Sequence, residues 1–311
     1  MSVGVSKEFI LNSIGDDLTV MLGKLGGFSH LEVLHDNKTI ADATTKMFVF
    51  NENNERVAFL LCNFSEAGDI GRRNLLNNQQ FKDGLNKKNG SVLLDPMLSG
   101  EVEGVEYSVW PYCTPLGEGL GLIRRKIQLF QIRPLVLEWL INANKDSLLL
   151  ASQSEVTNDF IIPLKQLSKR VGITPRVKDE INWQIQCLQD KSWKPYFVLA
   201  HNDLWKGNIL INKNKVDNSY GGVSVIDWAG GFYRSFAVYD LVRVSMSLKV
   251  SRSTFQQELE KHCTILLCNK KNLLGYLLAS FAFLANNLGE FPEVRFIELL
   301  HNCFDYLDDK I

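Results

Sequence analysis

The segment 196–231 constrains the fold of this chain most strongly, because polar residues lie at the ends of short apolar runs there. Three of these runs have the length and composition of β-strands: residues 196–200, 209–212 and 223–227. Asp203 and Asn208 lie between the first run and the second, and Asp227 ends the third. If the second and third runs pair as a hairpin, Asn208 and Asp227 meet at the same end of it. The sequence therefore predicts two carboxylates and one amide in one small region.

These three side chains have the chemistry that phosphoryl transfer requires. Carboxylate and amide oxygens bind Mg²⁺, which offsets the charge of phosphate oxygens. A separate carboxylate orients the attacking hydroxyl and accepts its proton. We predict that Asp203 is this base and that Asn208 and Asp227 are the metal ligands. His201 is assigned to the same catalytic loop, where we expect it to support the loop by a hydrogen bond rather than to transfer a proton.

The chain on the N-terminal side of this segment is predicted to be rich in β-structure. Four runs have strand character: residues 47–50, 57–62, 91–94 and 105–110. One helix is predicted over 70–87, where apolar residues have a helical spacing. Residues 111–121 hold two prolines and three glycines, so we predict a linker there.

Beyond the linker, apolar residues recur at helical spacing. Five helices are predicted: residues 122–143, 176–190, 254–267, 272–288 and 293–307. We therefore predict an α+β fold with two lobes. A β-rich N-lobe spans 1–110 and binds the nucleotide, 111–121 form the hinge, and a mainly helical C-lobe over 122–311 holds the catalytic loop and the acceptor site.

Composition narrows the classes of function. Lys and Arg number 34 and Asp and Glu 35, so the net charge of −1 gives no broad attraction to nucleic acid or to an anionic membrane. The six cysteines lack the spacing of a zinc site. The N-terminus has no basic and apolar leader, and no apolar run reaches the ~20 residues of a membrane helix. We expect a cytoplasmic protein with free thiols, no nucleic-acid partner and no membrane span; its oligomeric state stays open.

Two stretches, HNDLWKGNIL from His201 and VIDWAGG from Val225, resemble the motifs of the aminoglycoside phosphotransferase and choline kinase superfamily, which has a protein-kinase-like fold. In that family an Asp-Leu pair usually follows, and Asp240 with Leu241 fits it. The resemblance is sharp over about 196–243. It implies ATP as phosphoryl donor, Mg²⁺ as cofactor, and Asp240 as a brace for the catalytic loop.

The N-lobe departs from the kinase pattern. Kinases hold the α- and β-phosphates with a lysine on the third strand, which pairs with a glutamate on the next helix. The matching strand here, 57–62, has no lysine, and the helix 70–87 has no glutamate. Two glutamines stand at the place expected for the glutamate: Gln79 and Gln80. Three cations are candidates to replace the lysine: Lys46 on the preceding strand, and Arg72 and Arg73 at the start of the helix. We assign Lys46 to the nucleotide site.

The resemblance also implies a phosphate loop and an adenine site. Residues 24–30, with two adjacent glycines, are the candidate for the loop. The hinge is expected to contact the adenine through Trp110, Tyr112 and Cys113, while Pro111 lacks an amide donor.

The acceptor is less constrained by the sequence than the donor. Four aromatic residues near the catalytic loop are candidates either to contact the acceptor or to pack: Trp205, Trp228, Phe232 and Tyr233. We predict transfer of the γ-phosphoryl group of ATP to a hydroxyl of a sugar, an amino sugar or an amino alcohol. The missing lysine–glutamate pair leaves a nucleotide-binding regulator without turnover as an alternative. A kinase for a protein or a lipid-linked glycan is another, and the sequence does not separate ATP from GTP.

Overall fold

The computed structural model describes residues 6–35, 44–64, 70–213, 220–289 and 291–311. Its N-terminal part contains α1 (Lys7–Leu22), β1 (His30–His35), β2 (Thr45–Phe50), β3 (Arg56–Phe64), α2 (Ile70–Gly84), α3 (Lys87–Gly90), β4 (Leu98–Val102) and β5 (Val105–Pro111). The strands form one antiparallel sheet in the order β1-β2-β3-β5-β4. The sheet ends where the predicted hinge begins.

Alternation along β2 and β3 gives this sheet two different faces, because successive side chains of a strand point to opposite sides. One face is apolar and buried beneath α1, whose inward residues recur at helical spacing: Ile10, Ile14, Leu18 and Leu22. The hydroxyl of Ser6 caps this helix by accepting from the Phe9 amide at 3.1 Å. The opposite face of the sheet looks toward the C-terminal part and forms one wall of a cleft.

The C-terminal part is mainly helical. Its elements are β6 (Thr114–Pro115), α4 (Leu122–Asp146), β7 (Leu149–Leu150), α5 (Gln153–Glu155), a π-helical turn (Val156–Ile161), α6 (Ile162–Ser168), α7 (Pro175–Gln189), β8 (Tyr196–Ala200), β9 (Ile209–Ile211), β10 (Val223–Val225), β11 (Phe232–Phe236), α8 (Tyr239–Leu248), α9 (Arg252–Ile265), α10 (Lys270–Ala285) and α11 (Glu293–Asp308). Helix α10 is buried along most of its length and lies at the centre of this lobe. This part also contains two small sheets, β10-β9-β6 and β11-β8-β7, and residues of the first line the cleft. No helix among the described residues has both the length and the apolarity to cross a bilayer.

The element predictions are confirmed for the C-lobe, where each predicted helix and strand lies within a few residues of an observed one. The prediction is incomplete in both lobes. In the N-lobe, α1, β1, α3 and β4 were not expected, and in the C-lobe α5, α6, α8, β6, β7 and β11 were not expected. The strand predicted over 91–94 is wrong. That segment forms a single bridge, Leu93 to Val225, because it crosses to the C-lobe instead of joining the sheet.

Helix α2 links the two walls of the cleft. The side-chain amide of Asn77 donates to the carbonyls of Trp228 (2.9 Å) and Gly231 (3.1 Å). The side-chain oxygen of Asn74 accepts from the Trp228 amide at 2.6 Å. These bonds fix the N-lobe against the residues that directly follow Asp227, so the helix positions both sides of the site.

Candidate active site

The turn after β8 is held by one buried carboxylate. Asp240, in the first turn of α8, accepts the backbone amides of His201 (2.6 Å), Asn202 (3.3 Å) and Leu204 (3.3 Å). Burial raises the pKa of Asp240, while the hydrogen bonds from these backbone amides oppose the rise. The geometry is that of the brace expected from the sequence, since the carboxylate fixes the backbone on both sides of Asp203.

His201 is buried, and both of its ring nitrogens are engaged. Nε2 donates to the Ile226 carbonyl at 2.8 Å, and Nδ1 accepts the Asp203 amide at 3.3 Å. Because a carbonyl only accepts and an amide only donates, these partners fix the tautomer of a neutral ring. The ring also packs on Trp228, with centroids 4.6 Å apart. His201 therefore ties the turn after β8 to the end of β10.

Asp203 projects from this loop with a half-exposed side chain. The Asn208 side-chain amide donates to the Asp203 carbonyl (2.9 Å) and to its carboxylate (3.2 Å). Arg243 Nη2 lies 3.4 Å from the other carboxylate oxygen. Burial raises the pKa of Asp203, the charge of Arg243 lowers it, and the charge of Asp227 raises it. Sequence reasoning missed Arg243, although it lies one helical turn after Asp240 and so on the same side of α8.

The hairpin predicted for β9 and β10 is present. The two strands pair antiparallel with Ile209 opposite Val225, and the Ile226 amide donates to the Asn208 carbonyl at 3.0 Å. This register brings Asn208 and Asp227 to the same end, as predicted. Asp227 adopts a left-handed conformation (φ 66°, ψ 61°), which aspartate tolerates better than most residues.

The cleft between the lobes is a cavity of about 290 Å³. It is lined by every residue that the sequence assigned to the nucleotide and the metal: Lys46, Trp110, Tyr112, Cys113, Asn208 and Asp227. Asp203 is not among the lining residues but is hydrogen-bonded to Asn208, which is. The structure thus brings the candidate base to the edge of the cavity.

The part of the cavity next to the hinge is apolar on both walls. Phe48 and Phe59 line the upper wall, with their rings edge to face at 5.7 Å, and Leu210 and Ile226 line the lower wall. Such a slot has the chemistry to hold a flat, weakly polar ring. The upper wall is fixed from outside by Arg56, whose guanidinium carbon lies 4.2 Å from the centroid of Phe48.

The hinge offers fewer backbone groups than expected. Pro111 has no amide hydrogen, and the Tyr112 amide already donates to the Val57 carbonyl at 3.1 Å. The hydroxyl of Tyr112 donates to Glu118 at 2.9 Å, outside the slot.

Two expectations about which residues form the N-lobe wall of the cleft are wrong. Gln79 and Gln80 are exposed and face away from the cleft, where α2 instead presents Asn74 and Asn78. The turn 24–30 does not line the cavity, since its glycines pack against Asn51 and Glu52 at the β2–β3 turn. The connection from β1 to β2, residues 36–43, lies outside the described residues.

One candidate cation lines the cavity and two do not. Lys46 lies on β2 directly opposite Leu61 of β3, and both residues line the cleft. Arg72 and Arg73 are exposed on α2 and do not line it. An ammonium group on β2 thus stands across from the strand that carries the lysine in kinases.

The four aromatic residues near the loop separate into two kinds. Trp228 is core, packed edge to face on Phe81 (5.1 Å) and Trp139 (6.3 Å), so it is not available to an acceptor. Trp205 and Phe232 are 44% and 45% exposed, so their rings are accessible to a ligand. Tyr233 packs on Gly84 of α2.

The donor set fits Mg²⁺ better than a transition metal. Within the described ranges no group of three or more His, Cys, Asp or Glu residues is placed to hold a metal. Asn208 and Asp227 supply oxygen donors, and Mg²⁺ is commonly held by one or two carboxylates together with phosphates and water.

Comparisons with known proteins agree with this geometry. Residues 147–273 match the family model of the ecdysteroid kinase-like family. A search of curated proteins found no match. A thermostable aminoglycoside phosphotransferase APH(4)-Ia mutant, solved with ADP and hygromycin B, superposes with a TM-score of 0.54 at 12% identity, covering 94% of this chain and 97% of that one.

Two further solved structures have the same fold. The GDP complex of aminoglycoside 2′-phosphotransferase-IIIa gives a TM-score of 0.51 at 12% identity, covering 96% of this chain and 98% of that one. A choline/ethanolamine kinase family protein from Mesorhizobium loti gives 0.50 at 12% identity, with 95% and 94% covered. The chain therefore has the two-lobed, protein-kinase-like fold, and the predicted resemblance to the aminoglycoside phosphotransferase and choline kinase superfamily is confirmed at the level of the fold.

Proposed function

We propose that this protein is an ATP- and Mg²⁺-dependent phosphotransferase that acts on a hydroxyl group of a small molecule. One observation carries the proposal: a single interlobe cavity is lined by the hinge, Lys46, Asn208 and Asp227, with Asp203 bonded to its edge. The fold alone would be compatible with many functions, because function depends on the site. Here the site would supply separate groups for the donor, the metal and the acceptor proton.

The two metal ligands would act together with the phosphates. The Asn208 side-chain nitrogen is committed to Asp203, so its oxygen is the atom for the cation, and Asp227 adds a carboxylate at the same end of the hairpin. Mg²⁺ bound there would neutralise charge on the phosphate oxygens.

Asp203 would accept the proton of the acceptor hydroxyl. As the acceptor oxygen bonds to the γ-phosphorus, the bond to the β–γ bridging oxygen breaks and ADP leaves. Hydrogen bonds from Asn208 and the contact with Arg243 orient the carboxylate. Its half-exposed position leaves room for an acceptor on the open side of the cleft.

Lys46 would hold the donor phosphates in place of the usual third-strand lysine, and the apolar slot beside Phe48 and Phe59 would hold the base. The enzyme would work in the cytoplasm, consistent with the free cysteines.

The metal assignment is tested by calorimetric titration with ATP, with and without Mg²⁺. We expect Mg²⁺-dependent binding to the wild type and at least about tenfold weaker binding to Asp227→Asn, because even outer-shell partners of a metal are worth 10- to 100-fold in affinity. Asparagine tolerates the left-handed backbone, so the change removes mainly the charge. Asp179→Asn, at an exposed position on α7, is the matched control. Binding that needs neither Mg²⁺ nor Asp227 would contradict the assignment.

Turnover is tested with acceptor panels chosen from the chemistry of the similar proteins: aminoglycosides, choline and ethanolamine, simple sugars, and polyhydroxylated steroids. The expected result is ADP release that depends on one acceptor class. Mg²⁺-dependent nucleotide binding without transfer to any acceptor would instead favour the regulator without turnover.

A further inference from the structure

Two cysteines at the end of α9 lie in a geometry that phosphoryl transfer does not use. Leu267 takes a left-handed conformation (φ 49°), and the Cys268 amide donates back to the Cys263 carbonyl at 3.1 Å. This six-to-one bond is that of a Schellman turn, which brings the side chains at its two ends together. Those side chains are usually apolar. Here both ends are cysteine, so the turn brings two thiols to neighbouring positions at the end of α9.

This pair differs from the other cysteines in access. Four cysteines are buried in the lobes: Cys62, Cys113, Cys187 and Cys303. Cys263 and Cys268 are half-buried, and both line a surface cavity of about 380 Å³ beside Ser192 and Trp193. A small oxidant can therefore reach this pair from solvent, whereas Cys62, Cys187 and Cys303 are buried in the lobes.

The two sulfurs are also chemically unequal. Hydrogen bonding from the Cys268 thiol lowers the pKa of Cys263. Lys270 lowers this pKa further, whereas burial and Glu260 raise it. Hydrogen bonding to Cys263, together with burial, raises the pKa of Cys268. Thiolates are the reactive form of cysteine, so Cys263 is the sulfur that attacks and Cys268 the sulfur that resolves.

We propose that Cys263 and Cys268 are a modification site at which hydrogen peroxide forms a reversible intrachain disulfide. The Cys263 thiolate attacks one peroxide oxygen, the O–O bond breaks, and hydroxide leaves, which gives a sulfenic acid. The Cys268 sulfur then attacks the Cys263 sulfur, the S–O bond breaks, and the hydroxyl leaves with the Cys268 proton as water. Two thiols are oxidised and one peroxide is reduced to two waters; glutathione reverses the bond by thiol exchange.

The backbone needs little change for this bond. A disulfide requires Cα atoms within a few ångström of one another. The backbone hydrogen bond from the Cys268 amide to the Cys263 carbonyl already holds the two backbones in contact. The bond would tie the end of α9 to the N-cap of α10, where Asn269 accepts the Asn272 amide at 3.0 Å. Since α10 is the central helix of the C-lobe, we expect the oxidised protein to have a higher unfolding temperature.

The test uses the full chain, reduced, treated with hydrogen peroxide, alkylated and digested with trypsin. Both cysteines fall in one tryptic peptide, His262–Lys270. We expect this peptide to escape alkylation and to lie about 2 Da below the dithiol mass, and glutathione to restore alkylation. The readout is independent of phosphoryl transfer.

Variants separate the roles of the two sulfurs. Cys268→Ser should leave a sulfenic acid on Cys263 that dimedone captures, whereas Cys263→Ser should leave Cys268 unoxidised. Cys187→Ser, at a buried position whose carbonyl accepts from the cavity-lining Ser192, should form the disulfide as the wild type does. Full alkylation of the wild-type peptide after peroxide, a link to a second chain, or sulfinic acid as the main product would each overturn the proposal.

Discussion

The two walls of the cleft are assembled from different kinds of information. On the lower wall, Asp203, Asn208 and Asp227 lie at the ends of neighbouring short strands, and one hairpin register brings them together. On the upper wall, Lys46 and Phe59 face the cleft only because β2 and β3 pair in a sheet whose other face is covered by α1. Local pairing fixes the first set, and the long-range order of a sheet fixes the second.

This difference explains why the lower wall keeps a recognisable pattern. Its backbone is held by many directional bonds, among them the three amides on Asp240 and the two nitrogens of His201. A replacement at such a position leaves buried polar groups without partners, which costs about 1–3 kcal/mol for each group. The proposed function requires only a cation and an apolar surface from the upper wall, and residues on either of two neighbouring strands can provide them.

The largest expected effect is on the lower wall, at Asp203. Asp203→Asn keeps the size of the side chain but removes its basicity, so we expect kcat to fall about 10³-fold. The unfolding temperature should stay near that of the wild type, because the side chain is half-exposed. Steady-state kinetics and thermal unfolding check both parts, with Asp179→Asn as the matched control. A variant that turns over at the wild-type rate would remove Asp203 as the base.

A smaller effect is expected for the upper wall, where the cation can be moved from one strand to the neighbouring one. Lys46→Leu should lower kcat/KM for ATP about 100-fold through loss of charge against the phosphates. Because Lys46 and Leu61 are directly paired and both line the cleft, adding Leu61→Lys to it should recover about tenfold or more.

Arg72→Leu is the matched control for this exchange, since Arg72 is an exposed cation of the same lobe outside the cavity. We expect it to leave kcat/KM unchanged. A larger fall in kcat/KM for Arg72→Leu than for Lys46→Leu would place the phosphate-binding cation on α2 and would contradict the assignment of Lys46.

What the sequence could predict follows the same division. The hairpin after Asn208 was predictable because strand length and the polar residues at its ends are local signals. The strand over 91–94 was predicted wrongly because an apolar run does not reveal which lobe it packs against. Helix α1 did carry a signal, the spacing of Ile10, Ile14 and Leu18 behind Ser6, and that signal was overlooked.

Only the structure shows which residues of α2 face the cleft at the place where kinases have a glutamate. Counting along the helix pointed to Gln79 and Gln80, but the face of α2 that meets the cleft is set by its contacts with Trp228, a residue far along the chain. A helix face is defined by its neighbours, so a shift of one residue in the alignment selects the wrong side. The same limit hid Arg243, whose partner Asp203 lies on another element.

The smallest expected effect concerns Arg243 and tests how the lower wall sets the basicity of Asp203. The guanidinium lowers the pKa of Asp203 against the rise caused by burial, and its Nε is buried with no partner among the described residues. Arg243→Gln removes the positive charge, so the pKa of Asp203 rises further. Because a base must be deprotonated to act, the acidic limb of the kcat profile should move to higher pH.

Above that limb, kcat should stay within about fivefold of the wild type, because Asp203 is half-exposed and an ion pair that solvent screens contributes about 1 kcal/mol or less. Arg243→Lys, which keeps the charge, should leave the limb where it is in the wild type. A merely structural role would lower kcat equally at every pH and would not be rescued by charge. An unmoved limb in Arg243→Gln would therefore show that burial and Asp227 alone set the basicity of Asp203, and that α8 acts on the loop only through Asp240.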